Sequence, residues 1–238
     1  MSLPPVPTTQ EPQYKRLLEV EAEAGRSRLG LMMNQAWYDD PKRLTFTFAR
    51  YKFVAKMMAG FGDVLEVGCG DAFPSRIVQQ EVERLSVCDF DPLFIKDIRE
   101  CETDRWAFAD VFVHDVLASP PPSRFQGIYA LDVLEHIQPS SQHRFIGNLV
   151  QSLQEHGTLI IGMPSLESQE HASALSKEGH VNCQTLPQLK DTMQQHFHNV
   201  FMFCMNDEVL HVGFSKMAQY LFAVCCSPRS DRSGFSAL

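Results

Sequence analysis

A chain of 238 residues, 44% hydrophobic and 21% charged, is long enough to bury a sizeable core and has an ordinary soluble, globular composition. Its formal net charge of −8 argues against a generally basic surface, so general nucleic-acid binding is not expected. The apolar run YLFAVCC is too short to span a bilayer and MSLPPVPTTQ lacks the basic and apolar regions of a secretory signal, so neither membrane insertion nor export is expected.

The seven cysteines include no C-x-x-C pair, which disfavours a disulfide framework or zinc knuckle and fits reduced thiols in a cytoplasmic protein. Residues 1–12, rich in Pro and Thr, are expected to be poorly ordered. A charged helical pattern follows over residues 14–24, then a segment of residues 32–40 carrying Trp37 and Tyr38. Pro41 introduces a helix running to Met58, whose apolar positions Phe46, Ala49, Phe53 and Met57 recur at three- and four-residue steps.

From Val64 the pattern alternates. Strands are predicted at 64–67, 85–88, within 106–114, and at 127–131 and 158–163, with helices at 75–83, 92–99 and 141–155 between them. Thr185-Leu-Pro-Gln188 reads as a capping box opening a helix to about His196, and two last strands follow at 200–204 and 220–225. The short connection between those two implies that one lies antiparallel. The pattern therefore predicts an α/β fold: a Rossmann-like, seven-stranded, mostly parallel sheet with one antiparallel strand, helices on both faces and an N-terminal helical cap. Its divisions are a disordered N-terminus and cap over residues 1–59, one domain over 60–226 and a flexible tail over 227–238.

In open α/β sheets ligands bind beyond the carboxyl ends of the strands. Asp71, Asp89, Asp115 and Asp132 all fall at or just after predicted strand ends. The loop VLEVGCGDAFPSRIV begins as a dinucleotide fingerprint with Gly68 and Gly70, but Phe73 stands where the third glycine belongs, and no Gly-Lys-Ser/Thr follows.

EVGCG at a strand end, Asp89 at the next, VHDV and LDVLEHI together resemble the class I S-adenosylmethionine-dependent methyltransferases, from Val64 to Ser165 and onward to Cys225. The family loop often reads G-x-G-x-G, and here the last glycine is replaced by Ala72, a small departure if its φ is negative. The resemblance implies S-adenosylmethionine as cofactor. Gly68 and Gly70 would admit its methionyl and ribose portions, and Glu66 would brace the loop or meet the ammonium. Asp89, or Asp91 if the strand ends later, would accept the ribose hydroxyls. Phe90 would pack on the adenine, Asp115 and the Val116 amide would meet its edge, and the Leu131 carbonyl would receive the cofactor's amino group.

For the acceptor, Asp132, Glu135 and His136 share one face if their segment is helical. His180 precedes the later helix, and His211, with Asp207 and Glu208, lies between the last strands. His136, His180 or His211 would act as a general base or positioning group. Alternatively Glu135, His136 and His180 bind a divalent metal, as in the similar E-x-x-E-H-plus-His pattern of small-RNA 3′-end methyltransferases, with Asp132 in place of the first glutamate. A third reading has Glu135 and His136 only capping and bracing the helix.

Arg50 would reach the cofactor carboxylate or serve structurally, Trp37 and Tyr38 would form a lid or pack in the core, and Met32-Met33 and Met57-Met58 would fill core space. The whole resembles bacterial methyltransferases, some associated with surface-polysaccharide biosynthesis, which implies methylation of a small-molecule or sugar-like acceptor on oxygen. The alternatives from other classes are an NAD(P)-dependent oxidoreductase and a noncatalytic module that keeps the cofactor fold as a scaffold.

Overall fold

The computed structural model describes residues 8–101 and 106–229. Residues 1–7 of the expected disordered N-terminus and residues 230–238 of the expected tail lie outside them, as does part of the stretch before the third strand. The helices are α1 (Lys15–Ala24), α2 (Leu31–Asp39), α3 (Lys42–Met57), α4 (Arg76–Gln79), α5 (Pro92–Cys101), α6 (Gln142–Gln151), α7 (Ala174–Gly179) and α8 (Leu186–Gln194). The strands are β1 (Asp63–Val67), β2 (Arg84–Asp89), β3 (Asp110–Val113), β4 (Phe125–Leu131), β5 (Leu153–Pro164), β6 (Phe197–Asn206), β7 (Val209–His211) and β8 (Tyr220–Pro228).

All eight strands form one sheet in the order β3-β2-β1-β4-β5-β8-β6-β7. The pairings from β3 through β5 are parallel, whereas β8 runs antiparallel to both β5 and β6. The chain leaves β1 toward β2 and β3, then returns to β4 on the other side. That reversal opens a crevice at the carboxyl ends of β1 and β4, where ligands of open α/β sheets bind.

Alternate residues of the central strands face opposite layers, because side chains in a strand alternate between faces. On one side Leu65, Ile128 and Leu159 pack with Phe145 and Leu149 of α6 and Leu189 and Met193 of α8. On the other, Val64, Tyr129 and Ile160 pack with Tyr51 and Val54 of α3 and Ile95 and Ile98 of α5. Thr185 opens α8 through the expected capping box, exchanging hydrogen bonds with Gln188.

Several elements depart from the sequence reading. The sheet has an eighth strand, β7, paired antiparallel to β6. Its turn at Asp207-Glu208 carries no glycine or proline, and Asp207 itself takes a left-handed φ of 47°, a conformation that aspartate tolerates better than most residues. The helix expected at 75–83 is only α4, and the one expected to reach Glu155 ends at Gln151, where β5 begins. Helix α7 was not expected at all.

In α3 the buried residues are Leu44, Tyr51, Phe53, Val54 and Ala55, so of the four expected apolar positions Phe53 is buried, while Met57 is exposed and Phe46 and Ala49 only half-buried. Of the two methionine pairs, Met33 and Met58 enter the core, whereas Met32 and Met57 do not. All seven cysteines are free thiols. Among the described residues no helix is long and apolar enough to cross a membrane.

Candidate active site

The turn after β1 is built for close approach. Gly68 and Gly70 hold φ of 71° and 52°, the left-handed region that glycine enters without strain. A Cβ on Gly68 would collide with the Val133 side chain, and one on Gly70 with the Met32 thioether. Ala72 departs from the expected negative φ: it sits at 49°, and so occupies the conformation for which the family pattern carries glycine. Its methyl is buried, so core contact offsets part of the left-handed strain, which is about 1–2 kcal/mol for a residue with a Cβ.

Ala72→Gly is therefore expected to change unfolding free energy by less than about 0.5 kcal/mol, because strain relief offsets the lost methyl and the looser unfolded chain. Ala55→Gly, at a similarly buried site inside α3, is expected to cost about 1–2 kcal/mol. Equal losses at both positions in urea unfolding would mean that Ala72 carries no strain.

Asp89 is the last residue of β2, nearly buried, and accepts from the Gly70 N–H at 3.0 Å and the Asp91 N–H at 2.9 Å. Burial raises its pKa, and the Asp91 and Gly70 amides oppose that shift. Each carboxylate oxygen keeps a second acceptor direction, as two converging hydroxyls require. Asp91 stands one step beyond the strand and accepts from the Leu93 N–H at 2.8 Å, at the start of α5. Phe90 between them is 72% exposed, a face available for stacking.

Beyond β3, exposed Asp115 accepts from the Leu117 N–H, and buried Val116 is held by Asn148 Nδ2 on its carbonyl. Leu131 closes β4 on the same side of the sheet. Glu66 lies fully buried beneath the loop, accepting at 2.7 Å from Tyr51 of α3 and at 2.7 Å from Tyr129 of β4. Burial pushes its carboxyl up to about 7, and the tyrosine hydroxyls resist that rise. These bonds tie the end of β1 to α3 and β4.

The cap docks on this loop through Asp71 and on α5 through Asp97. Asp71 accepts from the Met33 N–H at 2.8 Å, and Asp97 of α5 accepts from the Leu31 N–H at 2.8 Å. Two carboxylates thus meet the unpaired amides that open α2, a favourable end for anions. Any side chain on Gly30 would strike Asp71. Trp37 and Tyr38 are 57% and 88% exposed, which overturns core packing for them and leaves them on the outside of the cap. Arg50 points away from a cofactor carboxylate role. It donates to both oxygens of Asp132 at 3.0 and 3.2 Å, with its guanidinium 3.9 Å from the Tyr220 ring centroid.

At the end of β4 the chain turns sharply, with Asp132 at φ 56° and a 3-10 turn over Leu134–His136 rather than an α-helix. The Glu135 carbonyl accepts from the Val181 and Asn182 N–H groups at 2.8 and 3.0 Å, which brings His180 across to His136. Their rings stand 5.1 Å apart, edge to face. One donor atom from each of Glu135, His136 and His180 lies within 4.8 Å of the others. Glu135 is fully buried and neither carboxylate oxygen has a hydrogen-bond partner among the described residues. Its pKa is driven well up by burial and by Asp132, while burial and His136 lower that of His180.

His211 is placed differently. Its Nε2 meets Asn206 Oδ1 at 2.7 Å and its Nδ1 receives the Gly213 N–H at 3.1 Å, so both ring nitrogens are engaged within its own hairpin. The structure brings His136 and His180 together and leaves His211 without a lone pair to offer as a base. Glu208 contacts Thr45 of α3, tying that hairpin to the cap side.

The loop, the buried acidic strand end and the exposed aromatic beside it fit a nucleoside bearing two ribose hydroxyls, and Phe73 at the third glycine's place fits a cofactor without a pyrophosphate. A family model described as "Methyltransferase domain" matches residues 33–197. No curated protein matches the sequence significantly.

Among solved structures, the N-methyltransferase NodS from Bradyrhizobium japonicum WM9, in complex with S-adenosyl-L-homocysteine, is similar with TM-score 0.61 and 21% identity, over 80% of this chain and 93% of that one. A DhpI complex with S-adenosylhomocysteine gives TM-score 0.60 and 14% identity, over 83% and 92%. The methyltransferase domain of bacterial CtHen1-C gives TM-score 0.62 and 13% identity, over 76% and 98%. At these identities the likeness is one of fold.

Proposed function

The chain belongs to the methyltransferase domain family and is a class I S-adenosylmethionine-dependent methyltransferase, and we propose that it methylates a hydroxyl of a small, sugar-like acceptor in the cytoplasm. When bound, S-adenosylmethionine supplies an activated methyl on a sulfonium, so the protein's task is alignment, exclusion of water and handling of one proton. Asp89 holds the ribose, Phe90 stacks on the adenine, and Asp115 with the Val116 amide meets the adenine edge. Gly68, Gly70 and the Leu131 carbonyl admit and orient the methionyl end, over a loop that Glu66 braces from beneath.

The observation that carries the acceptor reading is the His136–His180 pair. His136 Nδ1 lies 2.9 Å from the Gly179 carbonyl, which can only accept, so Nδ1 bears the proton and Nε2 a lone pair. His180 Nδ1 lies 2.8 Å from Gln169 Oε1, and the Gln169 amide nitrogen is held by Ser165 and Ser168, so His180 is fixed in the same tautomer. Two Nε2 lone pairs beyond β4 suit a neutral hydroxyl donor: one imidazole accepts its hydrogen bond and receives its proton as the methyl arrives. Val133, seated against Gly68, places this pair next to the cofactor loop.

The test supplies labelled S-adenosylmethionine with paired acceptors that carry either a hydroxyl or an amine on the same sugar ring. The expected product carries the methyl on oxygen. Transfer to nitrogen alone would overturn the acceptor reading while leaving the cofactor site intact.

A further inference from the structure

The turn between β7 and β8 exposes apolar surface that the fold itself does not use. Five large apolar side chains stand open between Val209 and Met217, among them Val212, Phe214 at 65% and Met217 at 68% exposure. Soluble chains scatter such residues singly, whereas a run of them on one turn marks a contact surface. The turn is firmly held. Asn206 Nδ2 donates to the Met217 carbonyl at 2.7 Å, the Asp207 N–H donates to Gln219 Oε1 at 2.9 Å, and Ala218 is buried. A surface fixed in advance loses little freedom when a ligand covers it.

Its position ties it to the imidazole pair. Strand β8 begins beside Pro164, the last residue of β5, so the turn lies at the carboxyl edge of the sheet, where β4 also ends. A path of hydrogen bonds joins the two places. His180 Nδ1 meets Gln169 Oε1 at 2.8 Å, Gln169 Nε2 donates to the Ser165 carbonyl at 3.3 Å, and Ser165 Oγ donates to the Ala218 carbonyl at 2.6 Å. Apolar side chains stand open along this path as well, Val181 next to His180 and Leu166 next to Ser165.

Resting on the reading of the imidazole pair as the hydroxyl-acceptor site, we propose that Val181, Leu166, Val212, Phe214 and Met217 form an apolar subsite for an alkyl chain carried by the sugar-like acceptor. The acceptor is then a single-chain amphiphile, its hydroxyl-bearing ring at His136 and His180 and its chain along the turn. Adaptable methionine and aliphatic side chains around one phenyl ring suit a flexible saturated chain better than a flat aromatic group, which facing rings would favour. Charge speaks against a membrane surface as the occupant. The charged side chains of residues 207–217 are Asp207, Glu208 and Lys216, and the net charge of the chain is −8, the reverse of the basic clusters that hold anionic lipid.

The test titrates the full chain, saturated with S-adenosylhomocysteine, with butyl and octyl glycosides of one sugar below their micelle-forming concentrations. The octyl compound is expected to bind about 16-fold more tightly, about twofold for each added CH2, as for a chain half-buried on a surface. Phe214→Ser with Met217→Ser is expected to reduce that ratio to less than about threefold, whereas Leu17→Ser, an exposed apolar position on α1, keeps it. Affinity for S-adenosylhomocysteine verifies that each variant is folded. Equal affinity for the two glycosides, or a ratio that survives loss of Phe214 and Met217, would overturn the inference. So would sedimentation of the chain with phosphatidylcholine vesicles in the absence of glycoside, which assigns the turn to a membrane.

Labelled methyl transfer keeps the two readings apart. Methyl on the oxygen of both glycosides at equal kcat/KM defeats the subsite and leaves the imidazole pair as the proton acceptor. Methyl on nitrogen alone, with matched amino glycosides, refutes the acceptor reading, and the chain-length ratio in binding then still decides the subsite.

Discussion

With Asp89 as the proposed ribose ligand, Asp89→Ala is expected to weaken S-adenosylhomocysteine binding by about 100-fold, because two charge-assisted hydrogen bonds to the ribose would contribute about 1.5 kcal/mol each. The carboxylate sits at the carboxyl end of β2, next to β1, nearly buried, with Gly70 and Asp91 amides fixing the directions of both oxygens. Alanine would also leave those two amides without their acceptor, so part of the loss comes from a loosened loop. Asp89→Asn keeps the shape and one acceptor and is expected to lose about tenfold, midway on the same scale.

The paired control is Asp91→Ala. Asp91 holds the Leu93 amide at the start of α5, so its loss should cost less than about 1 kcal/mol of stability, as removal of a helix-start acceptor does, and leave affinity within about threefold. Calorimetric titration of the three variants decides between the two aspartates. A larger loss at Asp91 than at Asp89 would move the ribose contact beyond the strand end.

Glu66→Gln is expected to flatten the pH dependence of stability between about pH 4.5 and 7. The carboxyl's folded-state pKa is raised to about 7 from 4.5, chiefly by burial. For a group raised in this way the folded state holds the proton more tightly than the unfolded chain. Its stabilising contribution is therefore complete below about pH 4.5 and is lost as pH rises through about 7. A shift of that size corresponds to a swing on the order of 3 kcal/mol. Asp71 and Asp89, both raised by burial, push in the same direction, so the wild-type chain should be less stable at pH 7.5 than at pH 5.

Glutamine removes the Glu66 share of that loss while keeping acceptor contact to one of the flanking tyrosines. Urea unfolding at pH 5, 6, 7 and 8 measures it. A glutamine variant whose pH profile parallels the wild type would show that Glu66 is not the titrating group.

The strand-ending acidic residues were the most legible feature of the sequence. Strand ends follow from short apolar runs bounded by turn signals, so Asp89, Asp115 and Asp132 could be placed at the carboxyl edge before any pairing was known. The parallel core and the antiparallel last strand were legible for the same reason. Ala72 was not, because φ is invisible in a residue name: a buried methyl holds alanine in a left-handed position. Strand β7 escaped because Asp207 turns the hairpin without glycine.

The long-range contacts around the candidate site were beyond reach for a different reason. The Arg50–Asp132 pair, the Met33–Asp71 bond and the meeting of His136 with His180 join residues 38 to 82 positions apart, and single-sequence periodicity carries no information at that distance. His211 illustrates the converse. Its place between the last strands suggested a base, while its own hairpin, through Asn206 and Gly213, engages both nitrogens.

Titrating the wild-type chain with S-adenosylhomocysteine and, separately, with NAD separates a methyl-donor site from a dinucleotide site. Saturable one-to-one binding of S-adenosylhomocysteine in the micromolar range, about −8 kcal/mol, is expected, with no detectable heat from NAD. Binding of NAD with none of S-adenosylhomocysteine would contradict a methyl-donor site.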